Sequence, residues 1–161
     1  MDFDVKDYVY GLINDGSEHI GFLSTVDNEG NPDVVALSFF RHEQTLICGT
    51  DKLFNHSRNL ENSEMVSVAF LSGITIKGRA EITGSVHSDN NDYFREKYKT
   101  VMPKNWKNYS TVESQIFLCV RIKSAKIWRY VSNIPYQAKC DFVTGKQTIS
   151  QYNTNESDEH N

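Results

Sequence analysis

Residues 45–60, TLICGTDKLFNHSRNL, decide how the rest of this chain is read. The stretch opens as an apolar strand over 45–48, breaks at Gly49-Thr50-Asp51, and runs into a helical segment carrying His56, Ser57, Arg58 and Asn59. A strand that ends in Gly-Thr just ahead of a helix leaves unpaired backbone N–H groups beside a hydroxyl and nearby cationic side chains. Those are the donors a phosphate needs: the N–H groups of a first helical turn, its positive dipole end and charge-assisted side chains. The same pattern also describes an ordinary connector with a solvated polar face. The order of elements on either side decides between the two.

On the N-terminal side, residues 4–14 read as an amphipathic helix, with Val5, Tyr8, Val9, Leu12 and Ile13 at three- and four-residue spacing. Asp15-Gly16-Ser17 stops it. Residues 20–26 are β-rich, and the run from Asp27 to Pro32 is a dense turn signal. A strand over 34–41 then reaches 45–48 through the short break His42-Glu43-Gln44. Connections this short imply an antiparallel meander.

On the C-terminal side, a strand over 65–71 turns at Ser72-Gly73 into the clearest alternation in the chain. Ile74, Ile76, Gly78, Ala80 and Ile82 fall on one face of residues 74–86, and Thr75, Lys77, Arg79, Glu81 and Thr83 on the other. The small Gly78 and Ala80 point to close approach of another backbone or a ligand. Residues 89–98 read as a helix capped by Asp89, and 101–110 as irregular chain with Pro103, Trp106 and Tyr109. A long strand over 115–128 places Ile116, Leu118, Val120 and Ile122 on one side. Beyond Tyr130 the pattern assigns no regular structure; 133–136 reads as an ordered turn and the polar end, 151–161, as a disordered tail. The expected organisation is one domain over 1–130, a C-terminal extension over 131–150 and the tail. Six short-connected antiparallel strands remove their edges most simply by closing on themselves. The expected fold is therefore mainly β, a six-stranded antiparallel barrel with peripheral helices.

A chain of 161 residues with 39% hydrophobic and 24% charged residues is the length and composition of one globular domain. No apolar run approaches the ~20 residues of a membrane span, and the acidic start MDFDVKDYVY lacks the positive end of a secretory signal, so a cytoplasmic location is expected. A net charge of −4, with basic residues dispersed along the sequence, argues against nucleic acid or a membrane as partner. Cys48, Cys119 and Cys140 are odd in number and far apart, without ligand spacing, which argues against zinc. Cys48 and Cys119 sit in apolar runs as small buried hydrophobes. Neither a nucleophile elbow nor a triad pattern occurs, so no side chain is assigned a catalytic role.

Four pieces, in order, carry a resemblance: FLSTVDNEGNP (22–32), the strand, Thr turn and helix of 46–60, NSEMVSVAFL (62–71) and ITIKGRAEI (74–82). Together they resemble the FMN-binding split-barrel family of pyridoxamine 5′-phosphate oxidase, the general-stress flavoproteins and small bacterial FMN-binding proteins, over residues 11–130. The resemblance implies a split barrel, FMN as cofactor in a cleft between the two subunits of a homodimer, and two-electron oxidoreduction on an unidentified substrate. The competing reading is a non-catalytic flavin, haem or deazaflavin binder, or a stress-related protein. By position, Val35, Ala36, Leu37 and Ser38 would run along the flavin ring edge, and Gly49 and Thr50 beside the phosphate and ribityl chain. His56 stands where the family carries a phosphate-binding Lys, followed by Ser57 and Arg58. The imidazole is either a titratable phosphate partner, in which case FMN affinity falls as pH rises above neutrality, or a polar residue on the helix's packed face. Lys77 and Arg79 are either surface charge or groups that approach the flavin across the dimer. Trp106, Tyr109 and Trp128 are either ring-stacking groups or interface anchors. The extension over 131–150 is expected to fold over the partner's cleft. Two basic residues of the pyridoxamine-phosphate oxidases are replaced here by Val35 and Phe40, and Trp128-Arg129-Tyr130 only loosely echoes their substrate-binding Arg segment. Vitamin B6 oxidation is therefore not implied.

Overall fold

The computed structural model describes residues 3–152. Its elements are α1 (Val5–Leu12), β1 (His19–Val26), β2 (Pro32–His42), β3 (Thr45–Asp51), α2 (Asn55–Asn59), β4 (Met65–Phe70) and β5 (Ile74–Ser85). A 3-10 turn (Asp89–Asn91), α3 (Asp92–Val101), α4 (Pro103–Tyr109), β6 (Gln115–Val131), β7 (Ile134–Asp141) and β8 (Gln147–Gln151) complete the chain. All strand pairs are antiparallel. The order β3-β2-β1-β4-β5-β6 closes through β3–β6 pairing into a six-stranded barrel, and β7 and β8 extend the sheet beyond it.

The 17-residue strand β6 makes both arrangements possible. One edge pairs with β5. On the other edge, residues 115–121 pair with β3 and residues 124–131 with β7. At the changeover, Ile122 donates its N–H to the Gln44 carbonyl (2.9 Å) and accepts from the Gln44 amide (2.7 Å). Phe142 then donates to the Lys123 carbonyl at 2.8 Å. The Ile122 N–H and carbonyl and the Lys123 carbonyl thus keep partners where the sheet splits.

Leu23, Phe39, Leu46, Cys48, Val68, Ile76, Leu118, Val120 and Ile122 fill the barrel. Helix α1, capped by the Asp4 carboxylate (2.8 Å from the Asp7 N–H), adds Val5, Val9 and Ile13 to the same core at i, i+4, i+8 spacing. Arg41 finishes this helix end by donating to the Ile13 carbonyl at 2.8 Å while its guanidinium lies 4.0 Å from the Tyr10 ring centroid. A second cluster lies outside the barrel: Phe40, Ile47, Phe117 and Cys119 meet Tyr98 and Met102 of α3 and its C-terminus. Strands β2, β3 and β6 are thus buried on both faces here, which explains the unbroken apolar runs FF, LIC and IFLCV.

Several local expectations are corrected. The strand does not break at Gly49: β3 runs on to Asp51, because Gly49, Thr50 and Asp51 pair with Phe117, Ile116 and Gln115. Helix α2 is consequently a single short turn, starting four residues after the strand ends. Residues 103–109 are helical, with Pro103 at the first turn where its missing N–H costs nothing. Ile82 keeps the register of its face, opposite Leu118, yet is 41% exposed, because it borders a hollow with Leu53, Leu60 and Ala80; the register shift follows it, before Gly84. The chain after Tyr130 is a hairpin of β7 and β8, with the turn at Ser132-Asn133 rather than at 133–136. Of the tail expected over 151–161, Gln151 instead ends β8, paired with Tyr136, and residues 153–161 lie outside the described residues. Among the described residues no helix is long and apolar enough to cross a membrane.

Candidate functional site

Because β3 continues past Cys48, the Gly49-Thr50-Asp51 segment forms one wall of a cleft of about 410 Å³. Ala36, Leu37 and Ser38 of the neighbouring β2 form a second wall. Phe54, Tyr98, Asn105 and Tyr109, with Val112 ahead of β6 and Gln115 at its start, close the remainder. Gly49 is needed where it stands. A Cβ there would lie 2.8 Å from the Tyr98 hydroxyl, so the phenol rests directly on the glycine backbone. Tyr98 is itself fixed, stacked on Phe40 (ring centroids 6.2 Å) and edge-on to Phe117 (5.5 Å). Burial pushes its phenol pKa far up, so it remains a neutral donor.

Behind this wall, the Thr50 hydroxyl and His56 Nε2 lie 2.8 Å apart, both buried. Burial lowers the His56 pKa, against the opposing pull of Asp33 and Asp51, so the imidazole is uncharged at neutral pH. Asp51 accepts from the Ser114 hydroxyl (2.6 Å) and the Leu53 N–H (2.8 Å), which holds its carboxyl below the usual range and ionised. Ser57 donates to the Asp51 carbonyl at 2.8 Å, and Asn59 to the Thr25 hydroxyl at 3.0 Å. These bonds tie α2 to the barrel.

The structure thus brings together Ala36, Leu37, Ser38, Gly49 and Thr50, with His56 immediately behind Thr50. Ser57 and Arg58 line a second hollow with Lys52, bordered by the carboxylate residues Glu61, Glu64 and Glu81. Val35 packs against the barrel core, and Phe40, at the other replaced basic position, is wholly buried. Trp106 packs on Tyr98 and His87 with the Lys99 ammonium over its ring, beside the cleft rather than in its wall. Lys77 lies in a third hollow formed by β5–β8. Trp128 contacts Tyr130 and Tyr152. The sequence reading missed Tyr98 and Asn105 as wall residues. For Asn105 the signal was Pro103 as a helix start, which sets Asn105 and Tyr109 about one turn apart on α4; nothing local marked Tyr98.

A flavin can be tested against these walls. The volume lies in the range of cofactor and ligand pockets, roughly 300–1,000 Å³, and the exposed Phe54 and Tyr109 offer aromatic surface to a flat ring, while the buried Tyr98 backs the Gly49 wall. The ring half fits. The phosphate half meets no Lys or Arg in the cleft, whose one formal charge is Asp51; the nearest cationic residues along the chain are Lys52 and Arg58 of the adjoining hollow.

The family model described as pyridoxamine 5′-phosphate oxidase matches residues 12–129. No curated protein matches the sequence. Among solved structures, general stress protein 26 from Bacillus anthracis str. Sterne is similar at 19% identity, over 76% of this chain and 92% of that one, with a TM-score of 0.60. The haem storage protein HutZ from Vibrio cholerae is similar at 14% identity, over 74% and 91%, with a TM-score of 0.60. PhzG from Burkholderia lata 383, in complex with tetrahydrophenazine-1-carboxylic acid, is similar at 11% identity, over 92% and 87%, with a TM-score of 0.59. At these identities the likeness is one of fold. With its closed six-stranded barrel and a family match across most of its length, this chain belongs to the pyridoxamine 5′-phosphate oxidase family.

Proposed function

We propose that this chain is a cytoplasmic flavoprotein that binds FMN in the Gly49–Thr50 cleft at the interface of a homodimer and serves as an oxidoreductase. The observation that carries the reading is the cleft itself, walled by β2 backbone on one side and aromatic rings on the other. Bound there, FMN would supply two-electron redox chemistry. The chain's part is to bind, orient and keep water out. Residues 36–38 present backbone donors and acceptors along the ring edge, and Phe54 and Tyr109 pack the ring. Thr50, His56, Ser57 and Arg58 are the candidates for the phosphate end, with Arg58 the cation among them.

A partner subunit is supported by the outer face of β1, β2 and β4. Ile20, Phe22 and Val34 are 49%, 37% and 60% exposed there. Phe22 sits between Ala36 of β2 and Ala69 of β4, an aromatic ridge flanked by small residues. Ala36 also lines the cleft, so this face and the site are continuous. A two-fold partner would cover the apolar face and add the cleft's missing wall.

The purified protein is expected to carry, or to take up, about one FMN per chain, seen as flavin absorbance and quenched flavin fluorescence. A colourless protein from which FMN dialyses freely would overturn the flavin reading. Stopped-flow reduction by NADH or NADPH then separates an enzyme from a storage protein. The storage reading is favoured by one observation, that the cleft's only carboxylate, Asp51, is already committed to Ser114 and Leu53.

A further inference from the structure

A hollow of about 490 Å³ on the outer face of β5–β8 is lined by four lysines, Lys77, Lys126, Lys139 and Lys146. They are far apart in sequence, and the sheet gathers them. Thr75, Lys126, Lys139 and Thr148 form one continuous cross-strand row, each directly opposite the next. Lys77, Ser124 and Asp141 form the adjacent row. Lysines directly opposite one another in a sheet are destabilising unless something neutralises them. Among the described residues none of the ion pairs uses any of these four. The one carboxylate in the hollow, Asp141, accepts the N–H groups of Val143 (2.8 Å) and Thr144 (2.9 Å) and so serves the β7–β8 turn. In a chain of net charge −4, four ammonium groups against this one carboxylate make a local excess of positive charge.

We infer that this hollow is a binding site, separate from the flavin cleft, for a small ligand bearing two or more phosphate or carboxylate groups. Ammonium groups on adjacent rows match two anionic groups, and the hydroxyls of Thr75, Ser124 and Thr148 supply further donors. The volume suits a small molecule. No aromatic side chain lines the hollow, so it lacks the stacking surface that single-stranded nucleic acid uses. Lys139, Lys146 and Thr148 come from the hairpin beyond the segment matched by the family model, so the site is assembled from the barrel and a hairpin outside that segment. The inference does not rest on the flavin reading.

Isothermal titration of the full chain with inorganic tripolyphosphate tests it. Binding is expected at one site per chain, weakening as salt rises from about 50 to about 200 mM. Lys126→Glu/Lys139→Glu should weaken it about tenfold or more, and Lys126→Gln/Lys139→Gln by a smaller factor, with an unchanged circular dichroism spectrum. The equal charge change Lys104→Glu/Lys107→Glu on α4 should alter it less than about twofold. FMN uptake should be the same in the Lys126/Lys139 variants as in the parent chain. No binding, or equal weakening by the α4 variant, would overturn the site. So would an oligonucleotide of about 20 nucleotides that competes with an affinity rising with its length, since the face would then be a nucleic-acid surface.

Discussion

His56 and Thr50 form a buried pair, ring nitrogen to hydroxyl at 2.8 Å, and this contact locks the single-turn α2 against the last residues of β3. Its protonation has a thermodynamic consequence. Burial holds the folded-state pKa of His56 below that of an exposed imidazole, about 6.5. As pH falls through that value, the unfolded chain takes up a proton that the folded chain does not, so stability is lost on the acid side. The urea midpoint should fall between about pH 7 and about pH 5.5, and His56→Gln should show a flatter dependence over that window. Parallel curves for the two proteins would assign the acid sensitivity to other groups.

Gly49 and Gly78 are predicted to differ in how badly they tolerate alanine. At Gly49 the added Cβ meets the Tyr98 hydroxyl at 2.8 Å and ring carbons at 3.0 and 3.1 Å, so Gly49→Ala should cost about 1–3 kcal/mol. Tyr98→Phe should recover part of that loss. At Gly78 the Cβ would lie 2.5 Å from the Arg121 carbonyl oxygen, backbone that a rotamer change cannot move. Gly78→Ala should cost about 3 kcal/mol or more. Denaturant unfolding of the variants checks the order.

Phe22→Glu and Val34→Glu place charge on the apolar outer face of β1 and β2 without touching the barrel interior. Both should yield monomers by light scattering, with FMN affinity down about tenfold or more through loss of the second wall. A charged variant that remained a dimer would put the interface elsewhere.

Ser132 and Asn133 turn β6 into β7 with φ of 50° and 65°, the left-handed pair of a two-residue hairpin turn. Ser132→Gly should stabilise the fold by about 0.5 kcal/mol, and Ser132→Val should destabilise it by about 1–2 kcal/mol. Thermal unfolding of the two variants reads the opposite signs.

The six-stranded antiparallel barrel was legible in local pattern, and the family resemblance added that it is a split barrel. Alternation along 74–82, short polar breaks such as His42-Glu43-Gln44, and the Asp27–Pro32 turn reflect the two-residue period of a strand and the backbone needs of tight turns, both of which act over a few residues. The family's order of pieces then located Ala36, Leu37, Ser38, Gly49 and Thr50, which the structure gathers in one cleft. What lay outside local pattern was decided by partners distant in sequence. Gly49-Thr50-Asp51 reads as a turn until β6 arrives to pair with it. The hairpin β7–β8 exists because β6 outlasts β3 and offers a free edge. Tyr98 and Asn105 become cleft walls only when α3 and α4 cover the outer face of β2, β3 and β6. The dispersed lysines become a cluster by cross-strand register. His56 shows the limit most clearly: its position as a phosphate-side residue was read from order, but its charge depends on desolvation, a property of the packed environment.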